Sequence, residues 1–192
     1  MERFNEAIDV LQIIQSKDEL IKARKSGYLG YCFFNLGDFK QSLKHHEQSL
    51  QLWKSISEDK YDPNIIESYL YAGLAYLATA NYYKALKNIE TGLKFATEMF
   101  APLTSHPLIA RCRSKIGYLL LEVGEYDGSL KALKKALSMQ EDVYEECAKQ
   151  HPTMTRTSLG LAKTLFQMSR LDQALGNVQN GIAMVEKLLP GC

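Results

Sequence analysis

The 192-residue chain has little of several residue types that would point to a particular class of protein. It holds one tryptophan, five prolines and four widely separated cysteines that form no CxxC pair. Such cysteines favour reduced thiols over a disulfide framework. No apolar run approaches the ~20 residues that a membrane-spanning helix needs, and a net charge of +1 gives no general attraction to nucleic acid or acidic membranes. We therefore expect a cytoplasmic protein without cofactor or metal, nucleic-acid partner or membrane partner.

Four stretches of similar pattern recur along the chain at nearly constant spacing. The clearest, LGYCFFNLGDFKQSL from Leu29, shares its two glycines, the aromatic after the second glycine and the final Ser-Leu with IGYLLLEVGEYDGSL from Ile116. Weaker copies begin at Ala72 and Leu161, so the steps are 43, 44 and 45 residues. Near-constant spacing of this kind predicts an array of similar supersecondary units that stack on one another.

Each copy predicts two helices joined by a short turn, with glycines in two distinct roles. Gly37 and Gly124 are expected just past the end of a helix, where a positive φ favours glycine. Gly30, Gly73 and Gly117 are expected inside helices, at a cost of about 1 kcal/mol each relative to alanine. Close approach of the partner helix would explain them. The other side of that contact would come from small residues of the second helix: Ser42, Ala85, Ser129 and Ala174.

The registered copies resemble the tetratricopeptide repeat. The first copy matches its consensus at Leu29, Gly30, Phe33, Phe39 and Ser42, although the consensus tryptophan and closing proline are absent. The resemblance implies an all-α, right-handed superhelical solenoid of antiparallel helix hairpins, with nine helices. The expected organisation is a lone helix within residues 1–22, as the second helix of an incomplete repeat, followed by four repeats at about 23–62, 63–105, 106–151 and 152–189.

The repeats are longer than the usual ~34 residues. Asp62-Pro63, His106-Pro107 and His151-Pro152 stand at the joints, where proline suits a first helical turn. This rhythm resembles the long repeats of kinesin light chains and related scaffold proteins. Neither end shows a polar capping helix, which solenoids usually need for solubility. We therefore expect a fragment of a longer chain, able to self-associate through its uncapped ends.

The resemblance also implies that one stripe of the first helices lines a concave ligand groove. This stripe has five basic and two acidic residues, and four tyrosines. Its deep members Phe34, Leu74, Leu77 and Phe166 are expected to be core instead. Tyrosine and arginine are enriched at binding hot spots. The expected peptide-binding residues are Arg24, Tyr28, Tyr31, Asn35, Tyr71, Arg111, Lys115, Tyr118, Arg156 and Lys163.

Other kinds of site have little support in the sequence. His45 and His46 are adjacent on a helix and point about 100° apart, so they cannot form one metal site and are expected on a solvated surface. Cys147 and His151 could supply two zinc ligands, but structural zinc wants four. No phosphate loop or nucleophile motif is present. The carboxylate clamp of co-chaperones is not expected either, because the position of the clamp asparagine holds Tyr31, Leu74, Tyr118 and Lys163 in the four repeats.

Two functions of different class remain open, and neither is enzymatic. The first is an adaptor or scaffold module that binds a peptide in its groove, with acidic residues flanking an apolar or aromatic anchor. The anchor would meet the tyrosines of the first two repeats, and the acidic residues would meet the basic residues of the last two. The alternative is a structural or regulatory repeat segment of a larger protein, self-associating or docked on a catalytic domain.

Overall fold

A computed structural model describes residues 2–56, 62–144 and 151–188. These ranges form nine helices and no strand, which confirms the all-α repeat fold and the expected number of helices. The helices are α1 (Glu2–Ile13), α2 (Glu19–Asn35), α3 (Phe39–Ile56), α4 (Pro63–Ala78), α5 (Tyr82–Met99), α6 (Pro107–Glu122), α7 (Tyr126–Val143), α8 (Pro152–Gln167) and α9 (Leu171–Leu188). None of these helices is both long and apolar enough to cross a membrane.

The chain forms two compact units, residues 1–99 and 100–192. In the N-terminal unit, α2 pairs with α3 and α4 with α5, while α3 packs on α4 and α1 packs on α2. Buried residues of α2, α3 and α4, including Ala23, Trp53 and Ile65, form one of its cores. In the C-terminal unit, α6 pairs with α7 and α8 with α9, and α7 packs on α8. Each unit is thus built from helix hairpins that pack side by side.

Side-chain caps begin all four first helices: Asp18 caps α2, and the other three caps precede a proline. Asp62 accepts a hydrogen bond from the backbone N–H of Asn64 at the start of α4. His106 and His151 do the same through Nδ1 for α6 and α8, and each of the three caps is followed by proline at the first helical position. A capping side chain satisfies one of the backbone N–H groups that a helix start leaves without a partner. The two histidines of the joints thus cap the helices that follow them.

Each hairpin turn contains a residue of positive φ. Gly37 and Gly124 have φ of 82° and 84°, as expected, and the corresponding residues Ala80 and Ser169 have φ of 57° and 60°. At all four ends, the next N–H donates to the carbonyl five residues earlier in the chain, as from Asp38 to Phe33 (3.0 Å). This is the Schellman ending, which satisfies carbonyl groups that the helix leaves unpaired.

The glycines inside helices do lie where the partner helix approaches closely. A Cβ added to Gly73 or Gly117 would come within 2.5 Å of Ile89 or Leu133. The nearest side chain is therefore the large residue one turn after the small one, and not the small residue that the sequence suggested. Ala85 and Ser129 are fully buried, and their small size lets the two helices come close enough for this contact.

Candidate functional site

The N-terminal unit contains a pocket of about 230 Å³, called the α2–α4 pocket below. Four of the expected binding residues line it together. It is bounded by Arg24, Gly27, Tyr28 and Tyr31 of α2, His46 and Ser49 of α3, and Glu67, Ser68 and Tyr71 of α4. Asn35 does not line the pocket, because its side-chain amide donates to the Tyr31 carbonyl oxygen at 2.8 Å.

The tyrosines of the pocket differ in how firmly they are held. The rings of Tyr31 and Tyr71 meet edge to face with centroids 5.1 Å apart. Tyr31 also contacts Phe4 of α1, and Tyr71 contacts Phe34 of α2. Tyr28 is 54% exposed. Tyr31 and Tyr71 therefore join helices as well as line the pocket, whereas Tyr28 is a more exposed wall.

His46 is almost completely buried in the pocket wall, with 1% exposure. Its ring stacks on Tyr71 at 5.6 Å, and neither ring nitrogen has a hydrogen-bond partner among the described residues. Burial lowers the pKa of His46 to about 4, and the neighbouring His45 adds to the lowering. The Gly30 backbone opposes the lowering as a weak hydrogen bond would, although it does not have the geometry of a normal hydrogen bond to either ring nitrogen. The expectation of a solvated surface is wrong for His46, because α3 turns this residue toward the space that Gly30 leaves open.

Two buried serines, Ser49 and Ser68, belong to the polar part of the pocket wall. The Ser49 hydroxyl donates to the Ala23 carbonyl oxygen at 2.9 Å, and its oxygen lies 3.1 Å from that of Ser68. A Cβ on Gly27 would lie 3.3 Å from the Ser49 oxygen. Ser49 and His46 lie on a second helix, so reasoning about first-helix stripes missed them. The sequence feature that could have identified them is a polar residue at a position where the hairpin requires a buried side chain.

In the C-terminal unit, three of the expected basic residues lie close enough for their charges to interact. Arg111 and Lys115 are one turn apart on α6, and Arg156 lies near the start of α8. Burial lowers the pKa of Lys115 to about 8, with the charges of Arg156 and then Arg111 adding to the lowering. The Lys115 ammonium lies 6.0 Å from the Tyr118 ring centroid. This arrangement concentrates positive charge on one surface of the unit, which we call the basic cluster.

Two further expected residues are held by contacts of their own. The Tyr118 hydroxyl donates to the Arg156 carbonyl oxygen, and a Cβ on Gly160 would come within 2.8 Å of the Tyr118 ring. Tyr118 therefore fastens α6 to α8. Lys163 forms an ion pair with Glu122 at 3.0 Å, and both side chains are about half exposed.

The expectation of core positions at the ends of the first helices holds only in part. Phe34, Leu74 and Leu77 are half-buried, but Phe166 is 62% exposed. In the N-terminal unit, Tyr71 of α4 contacts Phe34. Among the residues that the structure describes, no first helix follows α9 to cover Phe166 in the same way. Its assignment to the core is therefore wrong.

A metal site finds no support in the described part of the chain. No group of three or more histidine, cysteine, aspartate or glutamate side chains there is placed to hold an ion. Cys147, one of the two zinc ligands considered from the sequence, lies outside the described residues, and His151 caps α8.

Comparison with known sequences identifies the family to which this protein of helix hairpins belongs. Residues 22–98 and 109–153 match tetratricopeptide-repeat sequence profiles, and together they make up more than half of the chain. The chain therefore belongs to the tetratricopeptide repeat family. A search of curated protein sequences found no match.

Solved structures of similar fold include proteins from several sources. BtubC (BKLC) from P. vanneervenii is 13% identical with a TM-score of 0.77, over 96% of this chain and 71% of that one. Repeats of a putative kinesin light chain from Podosopora anserina are 14% identical with a TM-score of 0.70, over 99% and 90%. The Rap conjugation gene regulator of plasmid pLS20, whose structure contains a Phr peptide, is 16% identical with a TM-score of 0.76. That match covers 96% of this chain and only 47% of the regulator.

Proposed function

We propose that this protein is a peptide-binding interaction module, an adaptor or scaffold, whose α2–α4 pocket receives an aromatic anchor side chain of the partner. The carrying observation is that four expected groove residues, Arg24, Tyr28, Tyr31 and Tyr71, line one pocket. Its volume of about 230 Å³ is below the roughly 300–1,000 Å³ of small-molecule sites, as suits a single side chain. The Rap regulator of similar fold, with its bound Phr peptide, supports the general mode.

The basic cluster suggests acidic residues elsewhere in the same partner peptide. The positive charges of Lys115 and Arg156 lower the free energy of a nearby carboxylate, and charges of this kind mostly set association rate and specificity. The proposed role is binding in the cytoplasm, without catalysis and without a cofactor.

Peptides selected from a random library test the anchor pocket. Tyr28→Ala removes an exposed wall, so we expect affinity to fall at least about fivefold, as for a hot-spot truncation of more than 1 kcal/mol, with an unchanged melting temperature. Tyr31→Ala is the matched comparison and should lose both affinity and stability, because Tyr31 also contacts Phe4 and Tyr71. Unchanged affinity in a folded Tyr28→Ala protein would refute the pocket assignment.

Charge reversal tests the basic cluster. Arg156→Glu should slow association of an acidic library peptide and reduce the dependence of its rate on salt, because rim charges steer encounter. Lys131→Glu makes the same charge change at an exposed position of α7 outside the cluster and serves as the control. Equal effects of both variants would show that net charge, rather than the cluster, is responsible.

One observation favours the alternative of a self-associating or docked segment. The C-terminal unit exposes an apolar patch on α8 and α9 that surrounds a depression of about 480 Å³. Large exposed apolar patches mark interaction surfaces. A protein with this function would show a mass in solution that increases with its concentration.

A further inference from the structure

His46 occupies a position where the other repeats have an aliphatic side chain. The corresponding residues are Ile89 in the second repeat and Leu133 in the third, both fully buried. Ile89 and Leu133 fill the space over Gly73 and Gly117, as His46 does over Gly30. The hairpin therefore requires a buried side chain of this size, but nothing in the packing requires an imidazole.

An imidazole here has a structural cost that an aliphatic side chain avoids. Neither nitrogen of His46 has a hydrogen-bond partner of normal geometry among the described residues, and the Gly30 backbone offers only a weak one. A buried polar group without a partner is destabilising, and such exceptions call for an explanation. His46 lines the α2–α4 pocket, and both of its nitrogens are buried in the empty protein. A ligand that enters the pocket and uncovers one of them would supply the missing hydrogen bond.

The surroundings of His46 define what kind of group this is. The pocket walls include the aromatic rings of Tyr28, Tyr31 and Tyr71, which favour an aromatic guest through ring–ring contacts. A neutral imidazole has one donor and one acceptor nitrogen, and a hydroxyl group can match either. The charged side chains that line the pocket, Arg24 and Glu67, have opposite signs, so the lining favours neither a cationic nor an anionic guest overall.

We propose that the α2–α4 pocket selects a tyrosine side chain of the partner peptide, whose hydroxyl group hydrogen-bonds to a ring nitrogen of His46. This inference rests on the proposed peptide-binding function and specifies its anchor. A site built to hydrogen-bond a hydroxyl discriminates strongly against the analogue without it, because the buried polar group of the protein is then left unpaired. Phenylalanine is that analogue for tyrosine.

The test compares N-acetyl-L-tyrosinamide with N-acetyl-L-phenylalaninamide, titrated into the full chain and followed by NMR. We expect the tyrosine probe to bind at least about tenfold more tightly and to shift the ¹⁵N resonances of the His46 ring, which the phenylalanine probe should leave nearly unchanged. His46→Leu copies the Leu133 arrangement, so it should fold with a raised melting temperature and bind the two probes with similar affinity.

The possible results separate this inference from the function on which it rests. Equal affinity of the two probes in the wild-type protein, with unchanged His46 resonances, would overturn the tyrosine assignment and leave an aromatic pocket. If neither probe perturbs the pocket resonances, both the anchor pocket and its specificity are refuted. The ¹⁵N shifts are measured on the wild-type chain, so the proposal stays testable even if His46→Leu fails to fold.

Discussion

The backbone conformation of one residue in each hairpin turn determines how much strain that turn carries. The four Schellman endings place Gly37, Ala80, Gly124 and Ser169 at positive φ. A residue with a Cβ is disfavoured in this region by roughly 1–2 kcal/mol. Two of the four turns therefore carry strain that the other two avoid.

Replacing the strained residues with glycine should stabilise the protein. For Ala80→Gly and Ser169→Gly we expect a gain of about 0.5–1 kcal/mol each, because relief of the strain outweighs the larger backbone entropy that glycine loses on folding. Urea denaturation measures the change. Gly37→Ala is the reverse control, since an added Cβ there would touch nothing and only the backbone strain remains. A stabilised Gly37→Ala protein would contradict this account.

Within the helices, the local contact decides whether glycine stabilises or weakens the fold. Gly117 of α6 lies under Leu133, where a Cβ would come within 2.5 Å of that side chain and 3.3 Å of its backbone nitrogen. Gly176 of α9 has nothing within 4 Å of the same added atom. Glycine is thus required in one helix of the C-terminal unit and is a weak point in another.

Alanine substitutions at these two glycines should have opposite effects. Gly117→Ala should destabilise the protein by about 1–3 kcal/mol through overpacking. Gly176→Ala should stabilise it by about 0.5–1 kcal/mol, because alanine is the better residue in a helix interior. Thermal melting of both variants checks the pair, and the same sign for both would mean that helix propensity, not packing, dominates.

Packing of α3 against α2 also makes the N-terminal unit sensitive to acid. Burial holds the pKa of His46 at about 4, against about 6.5 in the unfolded chain. The folded state thus keeps the neutral form, so its advantage is complete above pH 6.5 and is lost as the pH falls toward 4. A pKa difference of this size corresponds to about 3 kcal/mol.

Comparison of wild type with His46→Leu isolates this contribution. Between pH 7 and pH 4.5 we expect wild type to lose about 2–3 kcal/mol more of its unfolding free energy than the variant. The lowered pKa values of His45 and His106 act in the same direction in both proteins and therefore cancel. Urea unfolding at the two pH values provides the measurement, and parallel losses would show that His46 is not neutral in the fold.

The exposed apolar patch of the C-terminal unit bears on self-association of the protein. Its apolar patch includes Leu159, Phe166, Leu171 and Leu175, each more than 45% exposed. In the N-terminal unit, α4 packs on α3 and contacts the corresponding end of α2 through Tyr71. The patch is therefore the surface on which a further helix would pack.

This patch should make the protein associate in solution. We expect sedimentation velocity to show a concentration-dependent increase in mass for wild type, and Leu175→Lys to abolish it without lowering the melting temperature. Leu103→Lys places the same charge at an exposed leucine outside the patch and should leave association intact. A wild-type protein that stays monomeric at every concentration would remove support for the self-associating alternative.

Periodic features of the sequence were sufficient to predict the architecture. The steps of 43 to 45 residues, the turn glycines Gly37 and Gly124 and the prolines after Asp62 and His106 predicted hairpins that the structure contains. Such signals can be read locally because a helix start, a helix end and a buried stripe depend on residues within one or two turns. Four residues that the same periodicity placed on the expected binding stripe, Arg24, Tyr28, Tyr31 and Tyr71, line one pocket, and their role in peptide binding stays a prediction.

Only the tertiary structure revealed which of these residues share a pocket and which mainly hold helices together. Tyr118 occupies the same stripe as Tyr31, yet its hydroxyl bonds to the Arg156 backbone, and Lys163 is paired with Glu122. His46 was expected on a solvated surface. Its burial depends on the absence of a side chain at Gly30 of another helix, and a contact between residues distant in sequence has no local signature.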